Sequence, residues 1–109
     1  MNKKLAFKND KFKKKRGGYS RCLLLSCQIC KNPILLYQKD GPGIIKRLYL
    51  DRIFSPQNII DKNLTCKKCK TIIGVKTVYQ KENRPAYRLF AGATEKKIVK
   101  GNKLPKINF

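Results

Sequence analysis

Short apolar stretches separated by turn-forming residues extend from position 19 to position 99 of the chain. Each stretch has the length and the β-branched, aromatic or alternating composition that is typical of a strand. The predicted strands are residues 19–26 (YSRCLLLS), 34–39 (ILLYQK), 71–80 (TIIGVKTVYQ), 86–91 (AYRLFA) and a last strand that includes 97–100. The pattern therefore predicts one β-rich domain over residues 19–100.

Residues 44–54 (IIKRLYLDRIF) fit two patterns. Ile45, Tyr49 and Ile53 have helical spacing, whereas the Ile-Ile start has strand character. The preceding Asp-Gly-Pro-Gly at 40–43 is a strong turn signal, because its glycines are free to adopt positive φ. This turn favours a strand for 44–54, with a helix as the alternative.

Two Cys-x-x-Cys motifs, Cys27 with Cys30 and Cys66 with Cys69, carry the clearest chemistry in the sequence. The motifs are 35 residues apart, which is enough for a hairpin and a long connection. Two residues between cysteines let one tight turn present both sulfurs to one ion, and Zn²⁺ takes four thiolates at tetrahedral corners. The pair predicts one closed, structural Cys₄ zinc site.

Other uses of these cysteines remain as alternatives. Disulfides need an oxidising compartment, and the N-terminus has no apolar segment of the kind that a secretory leader carries. Thiol redox catalysis uses one such motif rather than two matched ones. Cys22, Cys27, Cys30 and Cys66 have the spacing of a plant-type ferredoxin cluster, but that register leaves Cys69 unused. We expect Cys22 to pack as a small apolar residue.

The charge balance indicates a polyanionic partner. The chain has 109 residues and a formal net charge of +21, from 27 Lys and Arg against 6 Asp and Glu. Charge of this density repels itself in a compact state unless a partner neutralises it. A core of about 80 residues is also only marginally stable without a cross-link, which the metal site would supply.

Basic segments flank the predicted domain. Residues 1–18 hold eight Lys or Arg and one acid, and residues 101–109 are a shorter basic segment. Like charges in a run do not fold alone, so we expect 1–18 to be a disordered RNA-binding tail and 101–109 a second basic, extended tail. Phe7 and Phe12 would then bury their rings against bases or a neighbouring protein.

The sequence argues against an enzyme and against a membrane protein. It has no His, its six acids are widely scattered, and no Walker-type phosphate loop is present. No run of 18 apolar residues occurs, so no transmembrane helix is expected. We expect no catalytic residues, no small-molecule substrate and no membrane partner.

RNA is the polyanion that the pattern favours, because a strand-dominated chain with six Arg offers no evident recognition helix for DNA. The candidates for stacking on RNA bases are Tyr37, Tyr49, Tyr79, Tyr87 and Phe90, although such rings more often pack in the core. The candidate RNA contacts are Lys3, Lys4, Lys8, Lys11, Lys13, Lys14, Lys15, Arg16, Arg21, Arg47, Arg52, Lys67, Lys68, Lys70, Arg84, Arg88, Lys96 and Lys97. Arginines on or beside strands are the stronger candidates, because their backbone is fixed.

We call each Cys-x-x-Cys turn a knuckle. The order of the two knuckles and the strands over residues 20–91 resembles the zinc-ribbon folds, in which one metal ion joins two knuckles on β-hairpins. With its lysine-rich ends, the chain resembles the small zinc-binding proteins of the ribosome, which thread basic extensions into ribosomal RNA. The knuckle spacing is also similar to that of Yippee-type domains, without a further shared motif. The resemblance implies one structural Zn²⁺ on Cys27, Cys30, Cys66 and Cys69.

We therefore expect a structural, rRNA-binding component of the ribosome, in contact with ribosomal RNA and neighbouring ribosomal proteins. The expected location is cytoplasmic and ribosome-associated, with an organelle as the alternative. The alternative function is a zinc-ribbon interaction module of the transcription machinery or chromatin.

Overall fold

Two four-stranded antiparallel sheets form the protein in a computed structural model that describes residues 6–57, 59, 61–101 and 104–109. The elements in chain order are α1 (Lys11–Lys15), β1 (Ser20–Cys27), β2 (Pro33–Asp40), β3 (Arg47–Tyr49), a 3₁₀-helix (Leu50–Arg52), β4 (Ile53–Ser55), β5 (Asn63–Thr65), β6 (Ile72–Tyr79), β7 (Arg84–Leu89) and β8 (Thr94–Val99). The strand orders are β4-β2-β1-β8 and β3-β7-β6-β5.

Each Cys-x-x-Cys motif joins two paired strands. β1 and β2 pair from Ser20 opposite Asp40 down to the first motif. β5 and β6 pair from Asn63 opposite Val75 down to the second motif. The expected arrangement of a knuckle at the end of a β-hairpin is thus present twice, within two sheets that are larger than the hairpins alone.

The core lies among buried side chains from both sheets. Leu25 and Leu35 from the first sheet, and Leu48, Ile73 and Tyr87 from the second, have no exposed surface and belong to one cluster. The cluster includes Cys27 and Cys66, so the candidate metal ligands are continuous with the core. Burial of apolar surface of this kind is the main favourable term in folding.

The segment 44–54 is not the single strand that the sequence favoured. It contains β3 in the second sheet, the 3₁₀-helix, and β4, which leads into the first sheet. The break places Arg52 in the interior, where 2% of its surface is exposed. A continuous strand could not pair with both sheets and also bring Arg52 to its buried partners.

The N-terminal segment differs from the expected disordered tail. α1 begins at Lys11 after Asp10, whose carboxylate accepts hydrogen bonds from the Phe12 and Lys13 amides at 3.1 and 3.2 Å. The Phe7 ring lies 5.9 Å from the Phe54 ring, centroid to centroid. The interleaved aromatic residues pack against the protein's own domain, which supplies the burial that we had assigned to a partner. Residues 1–5 lie outside the described part of the chain.

A network of ion pairs fixes this segment to the domain. Arg52 Nη2 donates to Asp10 Oδ1 at 2.5 Å and Arg52 Nε donates to Asp40 Oδ2 at 2.7 Å. The hydrogen bond from Arg52 lowers the pKa of Asp10 to about 2. Because this pKa is depressed, the stabilisation is present above the ordinary carboxyl pKa and is lost as the pH falls toward 2.

The second half of the network centres on Arg84. Its guanidinium contacts Asp51 at 2.7 Å and Glu82 at 3.0 Å, and it lies 4.1 Å from the centroid of the Phe12 ring. Arg16 contacts the same Glu82 oxygen at 2.8 Å. We refer to Asp10, Arg16, Asp40, Arg52, Asp51, Glu82 and Arg84 as the charge network.

The C-terminal segment has no helix or strand among its described residues, which are Gly101 and 104–109. Phe109 is half-buried and lines a cavity together with Cys66, Lys67 and Lys70. In the described part of the chain, no helix combines the length and the apolar composition that crossing a membrane requires.

Asp10→Ala should release α1. The change removes the cap, which is worth about 0.5–2 kcal/mol, and leaves Arg52 Nη2 without its carboxylate. In NMR spectra we expect the amide resonances of residues 11–16 to move toward random-coil positions while those of β1 and β2 stay dispersed. Lys14→Ala, on the exposed side of α1, is the control and should preserve the native pattern. Unchanged spectra for Asp10→Ala would show that the charge network does not hold the segment.

Arg52→Gln should destabilise the whole domain. It leaves Asp40, whose side chain is 5% exposed, without its principal cation. Breaking one side of a buried ion pair costs about 3–5 kcal/mol, so the free energy of unfolding in a denaturant titration should fall by that amount. Arg21→Gln, at an exposed position on β1, should change it by less than about 1 kcal/mol. Equal small losses for both variants would contradict the structural role of Arg52.

Candidate metal centre and cationic surface

Cys27, Cys30, Cys66 and Cys69 converge on one point, with all four sulfurs within 4.8 Å of one another. The Sγ atoms of Cys27 and Cys69 are 3.6 Å apart, and those of Cys30 and Cys66 are 3.5 Å apart. Four sulfurs at about 2.3 Å from a central ion would be about 3.8 Å apart in a tetrahedron. The cluster therefore fits a single tetrahedral metal ion. All five cysteines of the chain are free thiols, without a disulfide between them.

The two knuckles have the same backbone geometry. Lys31 N donates to Cys27 O at 2.8 Å, and Lys70 N donates to Cys66 O at 2.9 Å. Lys31 and Lys70 both adopt left-handed φ, 63° and 65°, a conformation that side chains other than glycine enter at some cost. The same turn at both sites aims each pair of sulfurs at the other pair.

The ligands differ in exposure. Cys27 and Cys66, the first cysteine of each motif, are fully buried, whereas Cys69 is exposed. A hydrogen bond between the Cys69 sulfur and the Thr71 hydroxyl, at 3.1 Å, lowers the pKa of Cys69 to about 6. A lowered pKa favours the thiolate, which is the form that binds metal.

Cys22 is not a member of the cluster. It lies in β1 with 1% of its surface exposed, and burial raises its pKa to about 11. The ferredoxin-like register required Cys22 and omitted Cys69, whereas the cluster contains Cys69 and omits Cys22. The apolar role expected for Cys22 agrees with this placement.

Arg52 and Arg84 need correction as candidate RNA contacts. They are 2% and 3% exposed, and both bind carboxylates of the charge network. A guanidinium in that position has no face to offer to a phosphate. Arg16 is also committed, through Glu82, although 26% of its side chain remains exposed. Arg52 binds Asp40 and Asp10, 12 and 42 residues away along the chain, and Arg84 binds Asp51, 33 residues away. Residue spacing within a strand could not reveal these partners.

The other described candidates lie on the surface or beside it. Lys3 and Lys4 fall outside the described residues, and Lys13 and Arg47 are half-buried. The exposed candidates are Lys8, Lys11, Lys14, Lys15, Arg21, Lys67, Lys68, Lys70, Arg88, Lys96 and Lys97. They occupy α1 and its approach, the second knuckle, and strands of both sheets.

The structure also separates the candidate stacking rings. Tyr37 and Tyr87 are buried in the core, whereas Phe90 is 48% exposed. Tyr49 and Tyr79 are half-buried and carry the guanidinium groups of Arg84 and Arg47 over their rings. Sequence reasoning missed Lys46 and Lys81, which join Phe90 in one groove, because both lie in connections whose direction no periodicity indicates.

Comparison of the chain with protein-family models, with curated proteins and with solved structures finds no match. The function is therefore inferred from the geometry and the charge of the molecule itself.

Metal analysis of the purified protein should find one divalent ion per chain. Cys22→Ser should retain that ion, because Cys22 lies outside the cluster. Cys66→Ser should lose both the ion and the fold, because the metal's binding free energy, about 10–16 kcal/mol in zinc peptides, is folding free energy here. Circular dichroism and NMR dispersion report the fold. A folded Cys66→Ser protein would show that the core is stable without metal.

Proposed function

We propose that the protein is a structural RNA-binding component of the ribosome, stabilised by one zinc ion on Cys27, Cys30, Cys66 and Cys69. The observation that carries the proposal is the placement of the carboxylates. The charge network takes up four of the six acids of the chain together with only three of its arginines. Outside the network the chain therefore has 24 Lys and Arg and only two acids.

The two remaining acids do little to offset this surface. Glu95 is exposed and lies 3.1 Å from Lys31, and Asp61 is exposed. Exposed ion pairs of this kind contribute little and are screened by salt. A phosphate backbone is the partner that neutralises many such cations at once, by release of its counterions.

Zinc suits the cluster because four thiolates complete its tetrahedral shell. Cys27, Cys30, Cys66 and Cys69 would fill all four ligand positions, so an ion held there would join the two knuckles without binding water or substrate. The two matching turns position the four cysteine sulfurs, and the buried Cys27 and Cys66 connect the site to the core.

RNA is favoured over DNA by the elements available. In the described residues the only α-helix is α1, five residues long, which is too short to fill a major groove. The exposed cations instead lie along strands, turns and the outer side of α1, an arrangement suited to the phosphates of a folded RNA. The lysine-rich composition, with few arginines, favours a structural RNA-binding protein over a sequence-specific one.

Sedimentation tests the proposal directly. A tagged copy expressed in its own cell should stay with one ribosomal subunit through a sucrose gradient at moderate salt, and should move to the top of the gradient after nuclease treatment. Cofractionation with polymerase or chromatin, with none on ribosomal subunits, would favour the alternative function as a transcription or chromatin module. Sedimentation as a free protein before nuclease treatment would contradict both.

Salt dependence tests whether the outer side of α1 contacts phosphates. Replacing Lys11, Lys14 and Lys15 with Gln should reduce the slope of log K against log salt by about 2 units, at roughly 0.7–0.9 per lost contact. Filter binding to RNA measures this slope. The matched control replaces Lys62, Lys76 and Lys106, which are exposed and remove the same net charge. Equal slopes for both variants would place the contacts elsewhere than α1.

A further inference from the structure

A surface groove of about 860 Å³ runs between the two sheets and falls in the size range of binding sites. Its walls come from β3 and the segment before it, from β6 and the turn after it, and from β7, β8 and the chain that links them. Its cationic lining residues are Lys46, Arg47, Lys81, Arg88 and Lys96, and the described residues that line it include no carboxylate. The groove is therefore a concentration of positive charge with none of the local compensation found around Arg52 and Arg84.

Arg47 and Arg88 face one another across the β3–β7 ladder, where they are directly paired residues. Like charges at directly opposed positions of an antiparallel pair destabilise the sheet. Among the described residues, neither arginine has a carboxylate within ion-pair distance, and the Arg47 guanidinium lies 4.3 Å from the centroid of the Tyr79 ring. An anion between the two guanidinium groups would relieve this repulsion.

The same groove presents apolar surface to solvent. Phe90 is 48% exposed, Val78 is 44% exposed and Ile44 is 85% exposed. Phe90 follows β7 directly, and its backbone is held by hydrogen bonds to Ile73 and Ala93. A ring on a fixed backbone beside uncompensated cations matches the arrangement that single-stranded nucleic acid uses, with bases stacked on aromatic faces and phosphates on cations.

We propose that this groove binds a single-stranded segment of RNA, with one base stacked on Phe90 and a backbone phosphate between Arg47 and Arg88. The inference rests on the proposed RNA-binding function and specifies where and in what form the RNA is held. A duplex does not fit this role, because its bases are already stacked and must be unpaired to reach a ring. The volume accommodates roughly one or two nucleotides.

An introduced tryptophan tests base stacking. The chain has no Trp, so Phe90→Trp creates a single indole, whose fluorescence is quenched when a base stacks on it. Single-stranded RNA should quench it saturably, and duplex RNA of equal length should not. Ile72→Trp is the control, because Ile72 is 46% exposed, close to the exposure of Phe90, and lies outside the groove. Absence of quenching at position 90, or equal quenching at both positions, would overturn the inference.

Affinity separates stacking from simple apolar contact. Phe90→Ala should weaken binding of single-stranded RNA roughly 5- to 150-fold, and Phe90→Tyr should retain it. Phe90→Leu keeps apolar volume without a ring face and should behave like Phe90→Ala. Ile72→Ala should leave affinity unchanged. Retained metal and an unchanged denaturation midpoint would show that these exposed positions do not disturb the fold.

Arg47→Gln with Arg88→Gln tests the phosphate site. The double variant should flatten the salt dependence of single-strand binding by about 1.4 units, at roughly 0.7 per contact. An unchanged slope would remove the phosphate from this pair. Failure of the wild-type protein to bind any RNA would defeat the proposed function itself. RNA binding that ignores every groove variant would defeat only the groove inference, as would an acidic peptide that quenches Phe90→Trp in place of RNA.

Discussion

The meeting of two distant hairpins at four sulfurs is the constraint on which this structure depends. β1 and β2 belong to one sheet and β5 and β6 to the other, and each pair delivers its sulfurs from the same kind of turn. Both knuckles contain a lysine in the left-handed region, so their backbone is held in a conformation of some cost. An ion bound at the four sulfurs would offset this cost and join the two sheets, beside the core cluster that contains Cys27 and Cys66.

Charge is divided between interior and surface in a way that composition does not reveal. The acids are few, and four of the six bind the three arginines of the charge network. A buried ion pair contributes little net stability over apolar packing, but it is costly to break. The arrangement therefore fixes the position of the N-terminal segment and at the same time leaves only two acids outside the network to offset the surface cations.

The longer strands and the four clustered cysteines could be predicted because they depend on local pattern, whereas the division of 44–54 and the short strand β5 could not. The apolar stretch at 19–26 became β1 within a residue, and Cys-x-x-Cys spacing identified the cluster. The roles of Arg52 and Arg84 could not be predicted, since Arg52 binds acids that lie 12 and 42 residues away. The docking of residues 6–18 was hidden for the same reason, because a run of lysines indicates solvation unless a distant partner for Asp10 is known. The groove combines residues from 44–47, 77–81 and 88–96, which no single window of sequence contains.

The strand register places the sulfur cluster and the charge network at opposite ends of the strands. The sulfur cluster lies where β1 ends and β6 begins, whereas Asp40, at the end of β2, and Arg84, at the start of β7 opposite Tyr79, mark the charge network at the other end. Along β6 these ends are about 23 Å apart. Chelators or thiol oxidants would act on the sulfur cluster, whereas acid would act on the charge network by protonating its carboxylates. The stability of the whole domain would therefore respond to thiol chemistry at one end of the strands and to protonation at the other.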